Sequence, residues 1–286
     1  MDNLKAKKRH PEEIAVYTAI YVCAAFSVLL LLGIIIYVFA KGARRVNWAF
    51  LTGVTSILHG TVGIAGNILN TLIIILLTMI ITTPIGVGAA IYLNEYAKPG
   101  KLVTVIIFAT ETLAGIPSII FGLFGMLFFG QLCHMGYSLL TGSLTLTLMV
   151  LPLVTRNTQE ALKTVPDSFR TGAVGLGAGK CYTIRTILLP SAMPGIVTGV
   201  ILAIGRIIGE SAALLFTAGS AHLLPKTFNA FLEKIFHSGG TLTIQLYLSA
   251  SKGEFEVAFG IAVVLLVIVL LINFGTKRLA KKLEKH

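Results

Sequence analysis

The sequence predicts an all-α membrane protein in which six helices cross the bilayer. Three observations lead to this fold class. First, hydrophobic residues make up 55% of the 286 residues and charged residues only 12%, with a mean hydropathy of +0.88. Soluble domains contain about 25% charged residues, so most of this chain has to be solvated by lipid. Second, the apolar residues fall into six long runs, and third, Lys and Arg concentrate in alternate connections between them.

A helix that crosses the hydrocarbon core needs about 20 mostly apolar residues. Six segments meet this requirement, namely residues 14–40, 62–93, 102–129, 138–154, 194–218 and 257–276. An uncharged stretch over residues 112–155 is too long for one span, and residues 130–136 supply a glycine-containing turn that makes it a hairpin. Pro84, Pro117 and Pro152 lie inside spans, where we expect them to kink the helices.

The two ends of the chain are basic. Residues 1–13 run directly into an apolar stretch that is too long for a signal peptide and has no small-residue cleavage pattern. We therefore expect a retained first helix, a transmembrane domain over residues 14–276 and a basic tail over residues 277–286. The cysteines, at positions 23, 133 and 181, have no paired or metal-like spacing, so no disulfide is predicted.

The orientation follows from the basic residues, because cytoplasmic loops retain Lys and Arg. With the N-terminus inside, the inner segments hold 16 of these residues and the outer segments six. Both termini and the loop at about residues 156–190 are therefore predicted to be cytoplasmic. The net charge of +11 follows from this topology, since anionic inner-leaflet lipid attracts basic residues. Nucleic-acid binding is disfavoured because the charges are dispersed and lack interleaved aromatic residues.

Three ionisable residues lie inside the predicted spans: Glu111 in the third, and Arg206 and Glu210 in the fifth. A charge at the bilayer centre costs about 2.5–3.5 kcal/mol on insertion scales, so such residues usually face a pathway or a partner. A spacing of four places Arg206 and Glu210 on one helical face, where they can pair. Either the pair only holds helices together, or Arg206 contacts a translocating oxyanion through its planar fork. For Glu111 the structural role is favoured.

The loop at residues 156–190 carries a spaced motif. Ala173 precedes Gly177 by four positions, and Ile187-x-Leu189-Pro190 follows Gly177 after nine residues. This pattern resembles the cytoplasmic loop by which permease subunits of bacterial ABC importers dock onto a separate ATPase. In that family the order is Glu-Ala-Ala, three residues, Gly, nine residues and Ile-x-Leu-Pro, and only the last residue of the triplet matches here. The resemblance implies that the five matching residues couple the chain to an ATPase.

Enzymatic activity is not expected of this chain. Residues 175–181 look like a phosphate-binding loop, but a Walker sequence requires Gly at Val174 and Ser or Thr at Cys181. The histidines show no metal-ligand spacing, and no nucleophile pairs with a base. The sequence therefore predicts a transporter subunit without catalytic residues, metal ligands or a cofactor of its own.

Three further runs make the resemblance more specific. Residues 92–97 read Tyr-Leu-Asn-Glu-Tyr-Ala, residues 113–125 begin Leu-Ala-Gly-Ile-Pro, and residues 206–219 end in Leu-Leu-Phe-Thr-Ala-Gly. They resemble the PstA permeases of bacterial phosphate importers, within the binding-protein-dependent transport inner membrane component family. The likeness covers most of the chain from about the second span onward. The sister permease PstC is less similar in the last run, and this chain has Ser211 and Ala213 where the family usually has Thr and Pro.

The resemblance implies a type I ABC importer permease fold in a bacterial cytoplasmic membrane and import of inorganic phosphate by alternating access. The implied partners are a PstC-like second permease, two copies of a PstB-like ATPase that binds ATP and Mg²⁺, and a PstS-like phosphate-binding protein. Arg206 would then contact the anion while Glu210 holds its guanidinium. A permease for another oxyanion or small solute is one alternative, and a secondary transporter or channel that works without ATP is another.

Overall fold

The computed structural model describes residues 11–56, 61–98, 100–225 and 227–283 of the chain. Most of the predicted N-terminal segment and the last residues of the predicted tail therefore lie outside the described residues. In chain order the helices are α1 (Pro11–Gly42), α2 (Trp48–Thr52), α3 (Ala65–Ile91), α4 (Lys101–Gly115), α5 (Ser118–Gly125), α6 (Leu139–Lys163), α7 (Asp167–Gly175), α8 (Lys180–Thr183), α9 (Leu189–Gly209), α10 (Ala212–Thr217), α11 (Phe228–Lys234), α12 (Leu242–Ser251) and α13 (Phe255–Leu283). Strands β1 (Val54–Ser56) and β2 (Thr61–Ile64) pair antiparallel between α2 and α3.

Three of these helices, α3, α6 and α9, form the centre of the bundle. The helix α6 packs against both others. Of the residues in its apolar stretch 67% are buried, which is the largest share among the candidate spans. Aliphatic side chains that are at most 2% exposed, such as Ile74, Leu146 and Ile207, fill the space between them. The helices approach closely because small residues line the contacts, as is usual in membranes. A Cβ atom on Gly195 of α9, for example, would lie only 2.5 Å from the Cβ atom of Ala161 in α6.

Four of the six predicted spans are continuous helices, namely α1, α3, α6 and α13. The helix α6 runs past the predicted end at residue 154 to Lys163, and α13 continues to Leu283. Residues 62–64, predicted to be helical, belong to β2, so the predicted start of the second span was wrong. Two short strands are thus added to a fold that is otherwise all-α, as predicted.

The third predicted span, at residues 102–129, is not one helix. The helix α4 ends at Gly115, and the chain bends by 102° before α5 and the π-helical residues Met126–Leu132. We predicted a kink at Pro117, but Pro117 and the preceding Ile116 are both extended, because proline disfavours a helical conformation in the residue before it. The hairpin turn predicted at residues 130–136 is confirmed, with Gly136 at a φ of +56°.

The fifth predicted span, at residues 194–218, is broken as well. The helix α9 begins earlier, at Leu189, and ends at Gly209. Glu210 is extended, with a ψ of 122°, and the chain resumes as the six-residue helix α10. A candidate span is therefore present here, but it lies earlier in the chain than predicted and ends at Gly209, so Arg206 and Glu210 do not share one helix.

The segment between α10 and α12 is fastened to the first turns of α3. The side-chain amide of Asn67 donates a hydrogen bond of 3.0 Å to the carbonyl oxygen of Gly240. The amide of Asn70 donates to the carbonyl oxygens of Gly240 and Ala221, both at 3.0 Å. Both asparagines are at most 1% exposed, and their amides satisfy backbone carbonyl groups of the segment that packs on α3. The opposite end of the bundle carries α7 and α8.

Candidate functional site

The connection between α6 and α9 folds into two short helices with a tight turn between them. Pro166 precedes α7, and the carboxylate of Asp167 lies in the first turn, where it complements the helix dipole. After α7 the chain turns at Gly177, which has a φ of +79°. The amide of Gly177 donates to the carbonyl oxygen of Val174, and that of Ala178 to the carbonyl oxygen of Ala173, both at 2.9 Å. Such a left-handed turn favours glycine, which explains this residue of the motif.

One side of this connection packs on the bundle. Its buried residues form a hydrophobic cluster with the ends of α6 and α9, made of Ala161, Leu162, Val165, Ile184, Leu188, Ala192 and Ile196. Ala173 is also buried, at 5% exposure. Ile187 and Leu189 are half-buried, and Pro190 is exposed in the first turn of α9. The motif residues therefore mainly shape and seat the connection, with Ala173 beneath the turn and Pro190 where the chain re-enters the bundle.

The other side of the connection presents an apolar surface. Leu176 is 91% exposed, Val174 67% and Tyr182 62%. A Cβ atom on Gly177 or on Gly175 would meet nothing within 4 Å. We call the exposed residues of this outward side, within residues 172–182 and without the buried Ala173, the turn surface. Exposed large apolar side chains next to glycines at the end of a bundle are typical of a surface that another protein covers.

An ion pair ties α7 to the end of α3. Arg170 donates to Oε1 of Glu95 from Nη2 at 2.8 Å, and also from Nε at 3.2 Å. The same guanidinium donates to the backbone carbonyl oxygens of Leu162 and Val165, both at 3.0 Å, and to the carboxylate of Asp167. The Glu95 side chain is 8% exposed and that of Arg170 is 23% exposed. One side chain thus joins α3, the end of α6 and α7.

The surroundings keep this pair charged. Hydrogen bonds with the Glu95 carboxylate raise the pKa of the Arg170 guanidinium above its ordinary value. The Lys180 ammonium of α8 lies 4.7 Å from the ring centroid of Tyr96, the residue next to Glu95. No pairing of Glu95 with Arg170 was predicted from the sequence, because 75 positions separate the two residues. A glutamate at the end of an apolar span and an arginine in the facing loop were the only signals.

Glu111 lies near this end of the bundle. Its carboxylate is 3.9 Å from the guanidinium of Arg156, which also donates to Glu160 at 3.2 Å. The side chains of all three residues are 58–63% exposed. An exposed network of this kind contributes little to stability. The described contacts of Glu111 are therefore with α6 and not with Arg206 or Glu210, so the structure does not group the three candidate pathway residues.

The predicted pairing of Arg206 with Glu210 is not present among the described residues. Arg206 lies in the last turn of α9 and is exposed. Oε1 of Glu210 instead accepts a hydrogen bond of 3.1 Å from the backbone amide of Ala213 in α10, and its carbonyl oxygen accepts one from the hydroxyl of Thr243 at 2.9 Å. The pairing was expected from an unbroken helix, and the break after Gly209 removes it. The guanidinium of Arg206 is therefore exposed on the surface of this chain, where water, a solute or another subunit has to solvate it.

Comparison with known proteins places these features in a family. Residues 82–286 match the family described as binding-protein-dependent transport system inner membrane component. The chain is 35% identical over 273 residues to the probable ABC transporter permease protein YqgI of Bacillus subtilis, covering 92% of this chain and 93% of that protein. It is also 35% identical over 246 residues to the phosphate transport system permease protein PstA of Xylella fastidiosa strain Temecula1, covering 84% of this chain and 82% of that protein.

The fold is similar to that of solved transporter structures. A chain of the bacterial alginate ABC transporter, crystallised with an alginate pentasaccharide-bound periplasmic protein, superposes with a TM-score of 0.71. The alignment covers 96% of both chains at 14% sequence identity, so it shows the fold alone. The predicted type I ABC importer permease fold is confirmed.

Proposed function

This chain belongs to the binding-protein-dependent transport system inner membrane component family, and we propose that it is the permease subunit that moves inorganic phosphate in an ATP-driven importer. Members of this family are permease subunits and not enzymes, in agreement with the prediction. In the proposed assembly a PstC-like permease lies beside this chain, and two PstB-like ATPase copies bind the ATP and Mg²⁺. A PstS-like protein delivers phosphate from the opposite side of the membrane.

The turn surface is the observation that carries the coupling part of this proposal. It is apolar and exposed, and its base is fixed to α3, α6 and α9 by the buried cluster and by Arg170. A partner ATPase that binds this surface can therefore move three membrane helices together rather than only a loop. In the predicted orientation this end of the bundle faces the cytoplasm, where ATP is available.

Two observations support phosphate as the solute. The PstA relative is named for phosphate transport and aligns over most of both chains. Arg206, in the last turn of the spanning helix α9, has an exposed guanidinium. This planar group can donate two parallel hydrogen bonds to the oxygens of a phosphate or sulfate ion. In this proposal Arg206 contacts the anion briefly during alternating access, because a deep and tight site would slow release. Glu210 shapes the break in the pathway wall by capping α10, and Glu111 has no contact with the anion.

Uptake into vesicles that contain the purified transporter tests the proposal. The wild-type complex should take up labelled phosphate only with ATP and the binding protein, and an excess of sulfate or phosphonate should not compete. Arg206→Gln and Arg206→Lys should both assemble with the partners but transport phosphate at least about tenfold more slowly, since neither side chain reproduces the fork. Arg278→Gln, at the far end of α13, is the matched control and should transport normally.

Two results would contradict this assignment, and a third would contradict only the role of Arg206. Uptake of sulfate or of another solute in preference to phosphate would identify a permease for that solute. Uptake without ATP would indicate a secondary transporter or channel. Phosphate uptake at the wild-type rate by Arg206→Gln would leave the transport function intact but remove Arg206 from the pathway.

A further inference from the structure

A cluster of cations lies at the C-terminal end of α1, away from the turn surface. Lys41 is in the last turn of α1, and Arg44 and Arg45 follow in a short 3₁₀ helix, Ala43–Arg45. Together with residues of α1 and α13 they line a cavity of about 1030 Å³, whose other lining residues are Tyr37, Ala40, Phe255, Glu256 and Phe259. Neither the coupling function nor the proposed pathway uses these residues.

The backbone that carries the cations is held rigidly. A Cβ atom on Gly42 would lie 2.2 Å from the carbonyl oxygen of Phe259, so only glycine allows α1 to approach α13 this closely. On α13, Gly260 leaves room for the side chain of Arg45 to lie against the helix. A Cβ atom added to Gly260 would be 3.2 Å from Cγ of Arg45. The side chain of Arg45 is thus positioned by the helix crossing before any ligand arrives.

The charges of the cavity are unbalanced. Within the part of the chain that the structure describes, Lys41, Arg44 and Arg45 form no ion pair, and Nε of Arg45 is buried without a hydrogen-bond partner. Glu256 is the single carboxylate among the lining residues, against three cations. In the predicted orientation these cations also lie on the outer side, where Lys and Arg are disfavoured. A bound anion would balance the excess charge.

The cavity lies beside the exposed apolar helix α1, and aromatic rings are among its lining residues. The side chains of α1 face outward along its length, and none of the residues in its apolar stretch is buried. The rings of Tyr37 and Phe259, which both line the cavity, meet edge to face with their centroids 5.7 Å apart. Trp48, 79% exposed just beyond the cations, is a residue type that concentrates at the membrane–water boundary. Cations at headgroup level above an aromatic wall match the phosphate and the acyl chains of one phospholipid molecule.

We propose that this cavity binds the phosphate group of an anionic phospholipid, which Lys41, Arg44 and Arg45 contact while the lipid chains lie along Tyr37 and Phe259. The lipid would hold α1 against α13 in addition to the Gly42 crossing. A free phosphate ion would also bind the cations, but it has no acyl chains that would contact Tyr37 and Phe259. The inference does not depend on which solute the transporter moves.

Native mass spectrometry of the purified transporter complex tests this site. The complex is mixed with micelles containing either phosphatidylglycerol or phosphatidylcholine, and the retained lipids are counted. We expect the wild type to retain phosphatidylglycerol preferentially. Arg44→Gln with Arg45→Gln should weaken retention by about fivefold for each removed cation. Glu256→Gln should strengthen it, because it removes the single carboxylate that repels the ligand. Lys101→Gln, which removes an exposed cation in the first turn of α4 that does not line the cavity, is the control and should change nothing.

The opposite changes expected for Glu256→Gln and for the arginine pair separate binding from damage to the fold. Retention of phosphatidylglycerol by the arginine double variant at the wild-type level would overturn the proposal. Displacement of the lipid by inorganic phosphate would also overturn it, and would assign the cavity to the free ion. Loss of the binding protein from the double variant with unchanged lipid would show a protein docking surface instead.

Discussion

Replacing Arg170 by glutamine should release α7 from the bundle. The substitution removes the three hydrogen bonds of 2.8, 3.2 and 3.4 Å to Glu95 and those to the carbonyl oxygens of Leu162 and Val165. Among the described residues, the carboxylate of Glu95, 8% exposed, then keeps the side-chain amide of Asn94 as its hydrogen-bond partner, at 2.7 Å. Breaking a buried ion pair costs about 3–5 kcal/mol, but Arg170 is 23% exposed. We therefore expect a loss of about 2–3 kcal/mol in the local stability of α7.

Hydrogen exchange of the purified complex measures this loss. Amides of α7 should exchange about 30-fold to 150-fold faster in Arg170→Gln than in the wild type, because the free energy of local opening falls by that amount. Arg156→Gln is the matched control, since it removes another arginine at the same end of the bundle whose pairs are exposed. Its effect should correspond to less than about 1 kcal/mol. Similar acceleration in both variants, or none in α7, would refute the argument that burial gives the Arg170 pair its strength.

Three further predictions test the turn, the buried lysine and the topology. Gly177→Ala should destabilise the turn by about 1–2 kcal/mol, because the φ of +79° penalises a Cβ atom even in open space; hydrogen exchange at residues 173–183 measures it, and Gly175→Ala should show almost no effect. Burial lowers the pKa of Lys234, so below about 10.5 the unfolded chain binds more protons and stability rises with pH above the lowered pKa. In Lys234→Met the protection of residues 221–240 from proteolysis should no longer increase with pH. An unchanged pH dependence would contradict the assignment of this effect to Lys234. In a cysteine-free background, a cysteine at Asn229 should react with an impermeant thiol reagent added to intact cells, whereas one at Ser168 should not; labelling at Ser168 would reverse the predicted orientation.

Composition and local patterns were sufficient for the continuous spans and the turn surface. A helix in lipid has to satisfy its backbone internally, so a long uncharged run such as that of α13 has few alternatives. The turn after α7 was also encoded locally, because a φ of +79° at Gly177 favours glycine wherever the chain packs. The Arg170–Glu95 pair was not encoded in this way. It depends on how α7 lies against α3, and no pattern within either segment specifies that contact.

The break at Pro117, where the sequence predicted only a kink, is linked in the fold to the break after Gly209, which the sequence did not predict. Pro117 accounts for the end of α4, but not for the direction of α5. That direction is set by α10, on which α5 packs, and a Cβ atom on Gly122 would lie 2.8 Å from Cα of Ala213. The short helices α5 and α10 therefore exist as a packed pair, each beginning at a break. A contact between residues 91 positions apart cannot be derived from the hydropathy of either span.

The break after Gly209 also changes how the two charges of this region are stabilised. Arg206 lies in the last turn of α9, where the partial negative charge of the helix end favours a cation. The carboxylate of Glu210 accepts from the Ala213 amide at the start of α10, where the partial positive charge favours an anion. Each charge is thus compensated by a different helix end, so Glu210 need not occupy the guanidinium. Arg206 can then remain charged and exposed in the bundle without an internal counter-ion, which a site that receives and releases a passing anion requires.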